Sequence, residues 1–335
     1  MFYYLDKSEW NSYLLSLSKN YLIYAPFQNN GFIDFQLFHD KPETIIYHSA
    51  KTITPLKHFL FPLKEKVTDQ PAVQKVMVIG AKSCDLAALD LFDKIFLDDQ
   101  LMDDFYRRRR ENTLIIGTDC HSVDKTCHCT VYDIKPFPEK NCDLTLVENK
   151  NEVILSSMTK AGEMFLSQIS GSGRIKKKDE KLPDSIIKTR KEIGARIAKA
   201  NRTLPNSKKT QTVIDHSIGK KDKVWKKYAS TCVSCGACVI SCPTCHCFIL
   251  LDTSRPGVME KIRNHDACQY PGFEKMASGV DPLEKHYIRF RNRYVCKYVN
   301  RPQKFKSLAC TGCGRCIDTC IGKIDKNEVI LACSR

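Results

Sequence analysis

The sequence predicts an α/β domain with a partly parallel sheet over residues 1–150 and a small α+β domain over 231–335. Two short apolar runs rich in β-branched residues, "VMVIG" at 76–80 and "NTLIIG" at 112–117, predict strands, and "CDLAALDLFDKIF" between them has an amphipathic helical pattern. Strand, helix and strand in this order are typical of an α/β fold. In the C-terminal region, short segments are punctuated by Cys, Gly and Pro. Metal ligation is therefore expected to supply part of the folding free energy there.

A basic helical connector is predicted over 151–230. From 171 to 230 the chain contains eighteen Lys or Arg and six Asp or Glu, so this stretch carries most of the net charge of +15. Within it, Ile186, Ile193 and Ile197 lie on one predicted helical face. A solvated basic surface is the plain interpretation, and docking of an acidic partner protein is the alternative. Nucleic-acid binding is not favoured, because no recognition module accompanies the charge.

The location of the protein is suggested by its cysteines and by its N-terminus. No apolar run approaches the ~18 residues that span a bilayer, and "MFYYLDKSEW" lacks the pattern of an export signal. We therefore expect a cytoplasmic protein, with no membrane association, whose eighteen cysteines stay reduced and serve as metal ligands rather than disulfides.

Two cysteine runs share the spacing C-x2-C-x2-C-x3-C, which binds [4Fe-4S] clusters in two-cluster bacterial ferredoxins. In that arrangement the fourth cysteine of each run ligates the other cluster. The C-terminal domain is accordingly predicted to be a dicluster, ferredoxin-like domain with a long insert over 243–309. Gly236, Gly312 and Gly314 would allow the tight turns around the clusters. Zinc also uses C-x2-C pairs, but a third cysteine two residues further on has no place in a zinc ribbon. The first set is Cys232, Cys235, Cys238 and Cys320, and the second set is Cys310, Cys313, Cys316 and Cys242.

Four further cysteines, which we call the N-terminal set, lie in the α/β domain. Cys84 follows the strand predicted at 76–80, and Cys120 follows the strand predicted at 112–117. Because α/β folds bind ligands at the carboxyl ends of parallel strands, both thiols are expected in one crevice. Cys84 also begins the predicted helix, whose N-terminal N–H groups favour a thiolate or a cluster sulfur. Without a motif spacing, the four thiols could hold either a third [4Fe-4S] cluster or zinc. The N-terminal set is Cys84, Cys120, Cys127 and Cys129.

Other cysteines have less defined roles. Cys245 and Cys247, in the insert, could pack beside a cluster or ligate further iron. Cys268 and Cys296, also in the insert, are expected to be plain buried thiols. Cys142 and Cys333, elsewhere in the chain, have no assigned role.

Several segments together resemble one protein family. "GAKSCDLAALDLFDKIFLDD", "RRRRENTLIIGTDC", "CVSCGACVISCPTCHCF", "DACQYPGFEKMASG" and "RFRNRYVCKY" are similar to an iron-sulfur subunit that two kinds of enzyme share. These are the cytoplasmic [NiFe] hydrogenases of the sulfhydrogenase type, in which it is the beta subunit, and the anaerobic sulfite reductases. The resemblance extends from "YAPFQNNGFIDF" to Cys320. It departs at His128, where an aromatic residue is common, and in the basic connector, but neither departure removes a ligand. The resemblance favours iron-sulfur over zinc for the N-terminal set.

The resemblance implies an electron-transfer subunit that is not itself catalytic. Its expected partners are a subunit that binds flavin and NAD(P) and a catalytic redox subunit, within an anaerobic oxidoreductase complex. Its expected cofactors are two [4Fe-4S] clusters and a third in the N-terminal domain. Clusters with four cysteine ligands leave no open iron for a substrate, which supports the same interpretation. The alternative is a stand-alone iron-sulfur enzyme, with an open-site cluster formed with Cys245 and Cys247.

Overall fold

The computed structural model describes residues 2–68, 74–170, 176–178, 181–307 and 309–335. Parts of the predicted connector, 171–175 and 179–180, lie outside the described residues. In the part of the chain that is described, no helix is both long and apolar enough to cross a membrane.

The strands and helices follow in chain order. The strands are β1 (Phe2–Asp6), β2 (Leu22–Asn29), β3 (Phe32–Leu37), β4 (Lys64–Lys66), β5 (Val76–Ala81), β6 (Thr113–Thr118), β7 (Leu144–Asn149), β8 (Glu152–Ser157), β9 (Lys176–Lys178), β10 (Phe248–Arg255) and β11 (Val258–His265). The helices are α1 (Lys7–Leu17), α2 (Lys57–Leu60), α3 (Ser83–Phe96), α4 (Asp104–Asn112), α5 (Lys160–Ser170), α6 (Asp184–Ala200), α7 (Ser207–Ser217), α8 (Asp222–Ala229), α9 (Ala237–Ile240), α10 (His286–Val295), α11 (Arg301–Phe305), α12 (Arg315–Asp318) and α13 (Lys326–Ser334). Short 3-10 helices span Pro42–Thr44 and Cys129–Tyr132, and a π-helical turn spans Cys296–Asn300.

A large mixed sheet organises the N-terminal region. Among the described strands its order is β3-β2-β5-β6-β7-β8-β1-β9. The neighbours β2 and β5, β5 and β6, and β6 and β7 are parallel, and the other pairs are antiparallel. The strand, helix and strand predicted from the sequence correspond to β5, α3 and β6. The predicted partly parallel sheet is therefore confirmed.

The two central strands are buried on both faces of the large sheet, as expected for parallel strands. On one face, Met77 packs in a core with Trp10 of α1 and Phe165 of α5. On the other face, Val78 packs in a core with Phe92 of α3. This burial fixes the positions of β5 and β6, and therefore the positions of the loops at their carboxyl ends.

The connector helix α6 lies against the rest of the protein through its apolar face. Ile186 packs in a cluster with Val147 and Ile154 of the large sheet, and Ile193 packs with Cys129. The predicted isoleucine face is therefore observed, and it is buried rather than solvated. The basic residues of α6 are mostly exposed on its other sides.

The insert between the two cysteine runs contains a regular hairpin that the sequence analysis missed. Strands β10 and β11 pair antiparallel, and β11 pairs with β4 from the N-terminal region. The signal was present in the sequence, because Pro256–Gly257 is a turn dipeptide between two runs rich in apolar residues. Arg263 of β11 bonds to Glu65 and Asp103, so the hairpin is tied to the N-terminal region by buried charges.

Candidate iron-sulfur centre

The two ferredoxin-type runs fold alike and face each other. Each contains a glycine with positive φ directly before a short helix, Gly236 (φ 72°) before α9 and Gly314 (φ 79°) before α12. The hydroxyls of Ser241 and Thr319, the residues before the fourth cysteine of each run, are 3.1 Å apart. This contact joins the ends of the two runs, and it carries the fourth cysteine of each run towards the other run.

The thiols of the first set are neighbours. Burial raises the pKa of the Cys232 thiol, and the nearby Cys320 and Cys235 thiols act in the same direction. Burial also raises the pKa of Cys238 to about 11, and its neighbours include the thiols of Cys316, Cys232 and Cys320. Cys320, from the second run, thus lies beside the cysteines of the first run.

The second set shows the reciprocal relationship. Burial raises the pKa of the Cys313 thiol to about 12, and the nearby thiols of Cys242 and Cys316 raise it further. Cys242, from the first run, therefore lies beside the second run. Because Cys316 is also a neighbour of Cys238, the first and second sets are adjacent to each other.

The N-terminal set gathers at the carboxyl edge of the large sheet. Cys84 lies in the first turn of α3, just after β5, and Cys120 follows β6 by two residues. Burial raises the pKa of Cys120 to about 11, although the nearby Lys82 lowers it. The Cys127 thiol acts in the same direction as burial. The pKa of Cys129 is raised to about 12 by burial and by the thiols of Cys120 and Cys127. The structure therefore brings together the residues that the sequence placed in one crevice.

The N-terminal set lies directly against the second set. Burial and the Asp85 carboxylate hold the pKa of the Cys84 thiol well above its ordinary value, and the Cys313 and Cys120 thiols contribute in the same direction. The backbone N–H of His128, between Cys127 and Cys129, donates a hydrogen bond of 2.9 Å to the carbonyl oxygen of Gly312. The loop of the N-terminal set and the loop of the second run are thus joined by backbone contact.

Buried lysines lie beside the thiols, and no sequence pattern singled them out. Lys297 donates to Cys242 Sγ at 3.0 Å, to Thr244 Oγ1 at 2.9 Å and to the carbonyl of Ala309 at 3.0 Å. Despite desolvation by burial, its pKa is held well above its ordinary value by nearby thiolates, that of Cys242 above all. In the sequence it lies in "RFRNRYVCKY", next to Cys296, which does not by itself identify a cluster contact.

Two more lysines lie beside the thiols, Lys82 at the N-terminal set and Lys326 at the second set. Lys82 Nζ, at the edge of the large sheet, donates to Thr118 Oγ1 and to the carbonyl of Asp119, each at 2.9 Å. Lys326 Nζ donates to Tyr298 Oη at 2.8 Å, near Cys310. Cations in these buried positions favour anionic occupants.

The remaining cysteines divide into two groups. Cys247, Cys268 and Cys296 are neighbours of one another in the insert, and Cys245 lies beside Cys242. By contrast, Cys142 and Cys333 lie in two separate apolar cores of the protein.

The donor groups fit iron-sulfur clusters. Among the described residues, no three His, Cys, Asp or Glu side chains are arranged, as they stand, to hold a metal ion. A [4Fe-4S] cluster binds its four thiolates through four separate irons, so its ligands lie further apart than those of one ion. Sets made entirely of cysteine, with buried Lys and Arg beside them, are the environment that an anionic cluster requires.

Two comparisons with known proteins agree with this geometry. Residues 231–324, which include both runs, match the family model described as a 4Fe-4S dicluster domain. The chain is 27% identical to sulfhydrogenase 2 subunit beta of Pyrococcus furiosus over 319 residues. This alignment covers 92% of this chain and 91% of the relative. The prediction of a 4Fe-4S dicluster domain at the C-terminus is therefore confirmed.

Proposed function

We propose that this chain relays electrons between two partners, a subunit that binds flavin and NAD(P) and a catalytic redox subunit. The comparisons confirm the predicted resemblance to the sulfhydrogenase beta-subunit family. An iron-sulfur electron-transfer subunit is the role that the relative and the dicluster domain support. The identity of the partners, and whether the catalytic partner is of hydrogenase or sulfite reductase type, are parts of the proposal. A cytoplasmic location is also part of the proposal.

The observation that carries the proposal is the contiguity of the three sets of thiols. The N-terminal set meets the second set where Cys84 lies near Cys313. The second set meets the first where Cys316 lies near Cys238. A continuous row of thiols from the sheet edge to the first run is what a path for electrons needs, whereas a single substrate site needs only one such set.

We assign the ligands as the sequence predicts. The ferredoxin-like C-terminal domain, over 231–335, would hold two [4Fe-4S] clusters on the crossed first and second sets, and the 1–150 domain would hold a third on the N-terminal set. When bound, each cluster would supply a one-electron carrier with a potential set by hydrogen bonding, charge and burial. The first set is Cys232, Cys235, Cys238 and Cys320. The second set is Cys310, Cys313, Cys316 and Cys242.

The protein side chains have a defined part in this role. Lys297 and Lys326 place positive charge beside the thiols and so offset the negative charge of an occupied site. The apolar cores on either side exclude water, which strengthens these electrostatic interactions. The chain thereby stabilises added electrons through its own fixed charges.

The proposal can be tested on the native complex. Purified without oxygen, the chain should co-purify with a flavin-containing chain and a catalytic chain, identified by mass spectrometry. It should contain at least about twelve irons. NAD(P)H should reduce its clusters within the complex but not in the isolated chain. Turnover of a substrate by the isolated chain would contradict the proposal, and so would a preparation without iron.

A substitution tests the N-terminal assignment separately. Cys84→Ala should lower the iron content by up to about four per chain, because a [4Fe-4S] cluster would lose a ligand. Cys142→Ala is the matched control, since Cys142 is a buried cysteine in the core behind α3. If both variants keep the same iron content, or if the metal lost is zinc, the third [4Fe-4S] cluster is rejected.

A further inference from the structure

We propose that the insert holds a further [4Fe-4S] cluster, on Cys245, Cys247, Cys268 and Cys296, which we call the insert set. This inference rests on the proposed electron-transfer function and extends it with a fourth carrier beside the first set. From the sequence alone, Cys268 and Cys296 are expected to be plain buried thiols. The structure places all four around the base of the β10–β11 hairpin.

The hairpin brings Cys247 and Cys268 together. Phe248, the first residue of β10, pairs with His265, the last residue of β11. One step further out, the backbone N–H of Asp266 donates a 2.9 Å hydrogen bond to the carbonyl oxygen of Cys247. Cys268 is two residues beyond this closing hydrogen bond. Residues twenty-one positions apart in sequence are therefore adjacent at the open end of the hairpin.

Helix α10 brings the third thiol. Gln269 Nε2 donates to the carbonyl of Arg289 at 3.0 Å, and Arg289 Nε donates to the carbonyl of Gln269 at 3.3 Å. These reciprocal bonds hold α10 against the turn that carries Cys268. Cys296 follows α10 directly and begins the π-helical turn. Such turns occur frequently at functional sites.

Three thiols of the insert set, those of Cys247, Cys268 and Cys296, are mutual neighbours. Burial raises the pKa of Cys247 to about 12, and the Cys268 and Cys296 thiols act in the same direction. Burial likewise raises the pKa of Cys268 to about 11, and Cys296 adds to it. Cys245 packs in one small apolar cluster with Cys268 and with Cys238 of the first set. The insert set therefore adjoins the first set.

An unpaired buried cation is an independent indication of an anionic occupant. Arg293 is buried, and its Nε and Nη2 atoms have no hydrogen-bond partner among the described residues. Its neighbours include the thiols of Cys238, Cys316 and Cys245, and it also lies near Cys268. An unpaired guanidinium in the interior is costly. An anionic cluster on the insert set would compensate its charge together with the clusters of the first and second sets.

A buried lysine also lies beside the insert set, and although burial lowers the pKa of Lys57 to about 8, it stays largely protonated at neutral pH. Lys57 Nζ donates to the carbonyl oxygens of Cys245 at 2.8 Å and Val239 at 3.2 Å. These partners are neutral, and its neighbours include the thiols of Cys242 and Cys247. Positive charge thus approaches the insert set from α2 as well as from α10, while the donors of the site itself are all cysteine.

The test is a metal count on variants of the complete complex, purified without oxygen. Cys268→Ala and Cys296→Ala should each lose between one and about four irons per chain, because a ligand of a [4Fe-4S] cluster is removed. The integrated electron paramagnetic resonance signal of the reduced protein should fall by one cluster. Cys333→Ala, at a buried cysteine of α13, is the matched control and should lose no iron.

Every outcome decides the inference. Equal iron content in all three variants overturns it, and so does zinc that is lost from the two insert variants. If those variants do not fold, Cys247→Ser tests the inference instead. Its serine oxygen would replace one sulfur ligand, so one electron paramagnetic resonance signal of the reduced protein should change. An unchanged spectrum overturns the inference. If instead NAD(P)H fails to reduce the complex while the insert variants still lose iron, the proposed function fails and the site remains.

Discussion

Arg315 and Asp85 form a buried ion pair between the C-terminal and N-terminal parts of the chain. Arg315 Nη1 and Nη2 donate to Asp85 Oδ1 and Oδ2 at 2.8 and 2.7 Å. Asp85 follows Cys84 of the N-terminal set, and Arg315 precedes Cys316 of the second set. The pair therefore holds two sets of thiols against each other across 230 positions of sequence.

Breaking this ion pair should be strongly destabilising. Asp85→Ala leaves the buried Arg315 charge uncompensated, for which the expected loss is about 3–5 kcal/mol in the free energy of unfolding. Anaerobic guanidinium denaturation measures it. Glu139→Ala is the control, since the exposed Lys135–Glu139 pair is worth only about 0.2–1 kcal/mol. Similar losses in the two variants would show that Arg315 and Asp85 do not fix the arrangement.

Replacing Lys297 should lower the reduction potential of a neighbouring cluster. Lys297→Met removes a positive charge 3.0 Å from Cys242 Sγ, and reduction adds negative charge at that place. A change on the order of 60 mV downward corresponds to a tenfold change in the equilibrium for one electron. Redox titration followed by electron paramagnetic resonance measures the shift. Lys304→Met, at an exposed lysine of α11, should leave all potentials unchanged. A potential that rises in Lys297→Met would contradict the expectation.

A side chain at Gly314 should separate the second run from the N-terminal set. A Cβ there would lie 2.7 Å from the carbonyl carbon of Thr126, at a backbone φ of +79°. Gly314→Ala should therefore reduce both the iron content and the thermal stability. Gly219→Ala introduces a similar positive-φ strain (φ +73°) with no atom within 4 Å, so its expected cost is only about 1–2 kcal/mol. Equal behaviour of the two variants would rule out a crowding effect at Gly314.

Stability should fall in mild acid partly because of His265. Burial, with the nearby Lys57 charge, lowers the pKa of His265 to about 4, while in the unfolded chain it is about 6.5. Between these values the unfolded chain binds a proton that the folded chain does not. The free energy of unfolding therefore decreases as pH falls from about 6.5 towards 4, by up to about 1.4 kcal/mol per pH unit.

The substitution His265→Gln should flatten this part of the stability profile. Denaturation between pH 6.5 and 5 should show a smaller slope than in the unmodified protein, because one titrating group is gone. His216→Gln, at an exposed position of α7, is the control and should reproduce the original slope. If His265→Gln also keeps the original slope, the acid sensitivity has another source.

Local patterns predicted much of this protein correctly. The apolar runs at 76–80 and 112–117 predicted β5 and β6, and the pattern between them predicted α3, because hydrophobic periodicity is a local property. The repeated cysteine spacing predicted the 4Fe-4S dicluster domain that the family match confirms. The hairpin of β10 and β11 was missed, although Pro256–Gly257 marks its turn.

By itself, the sequence determined the dicluster domain and the candidate ligands, because closely spaced cysteines on one loop must face one another whatever the rest of the chain does. Only the tertiary structure decided which sets adjoin. The approach of Cys84 to Cys313 depends on the contact of Arg315 with Asp85, and the gathering of the insert set depends on hairpin register and on α10. Lys297 and Arg293 both lie in "RFRNRYVCKY", but nothing in that segment shows that they face the thiols. Their burial beside thiols results from long-range packing, which no short window of sequence contains.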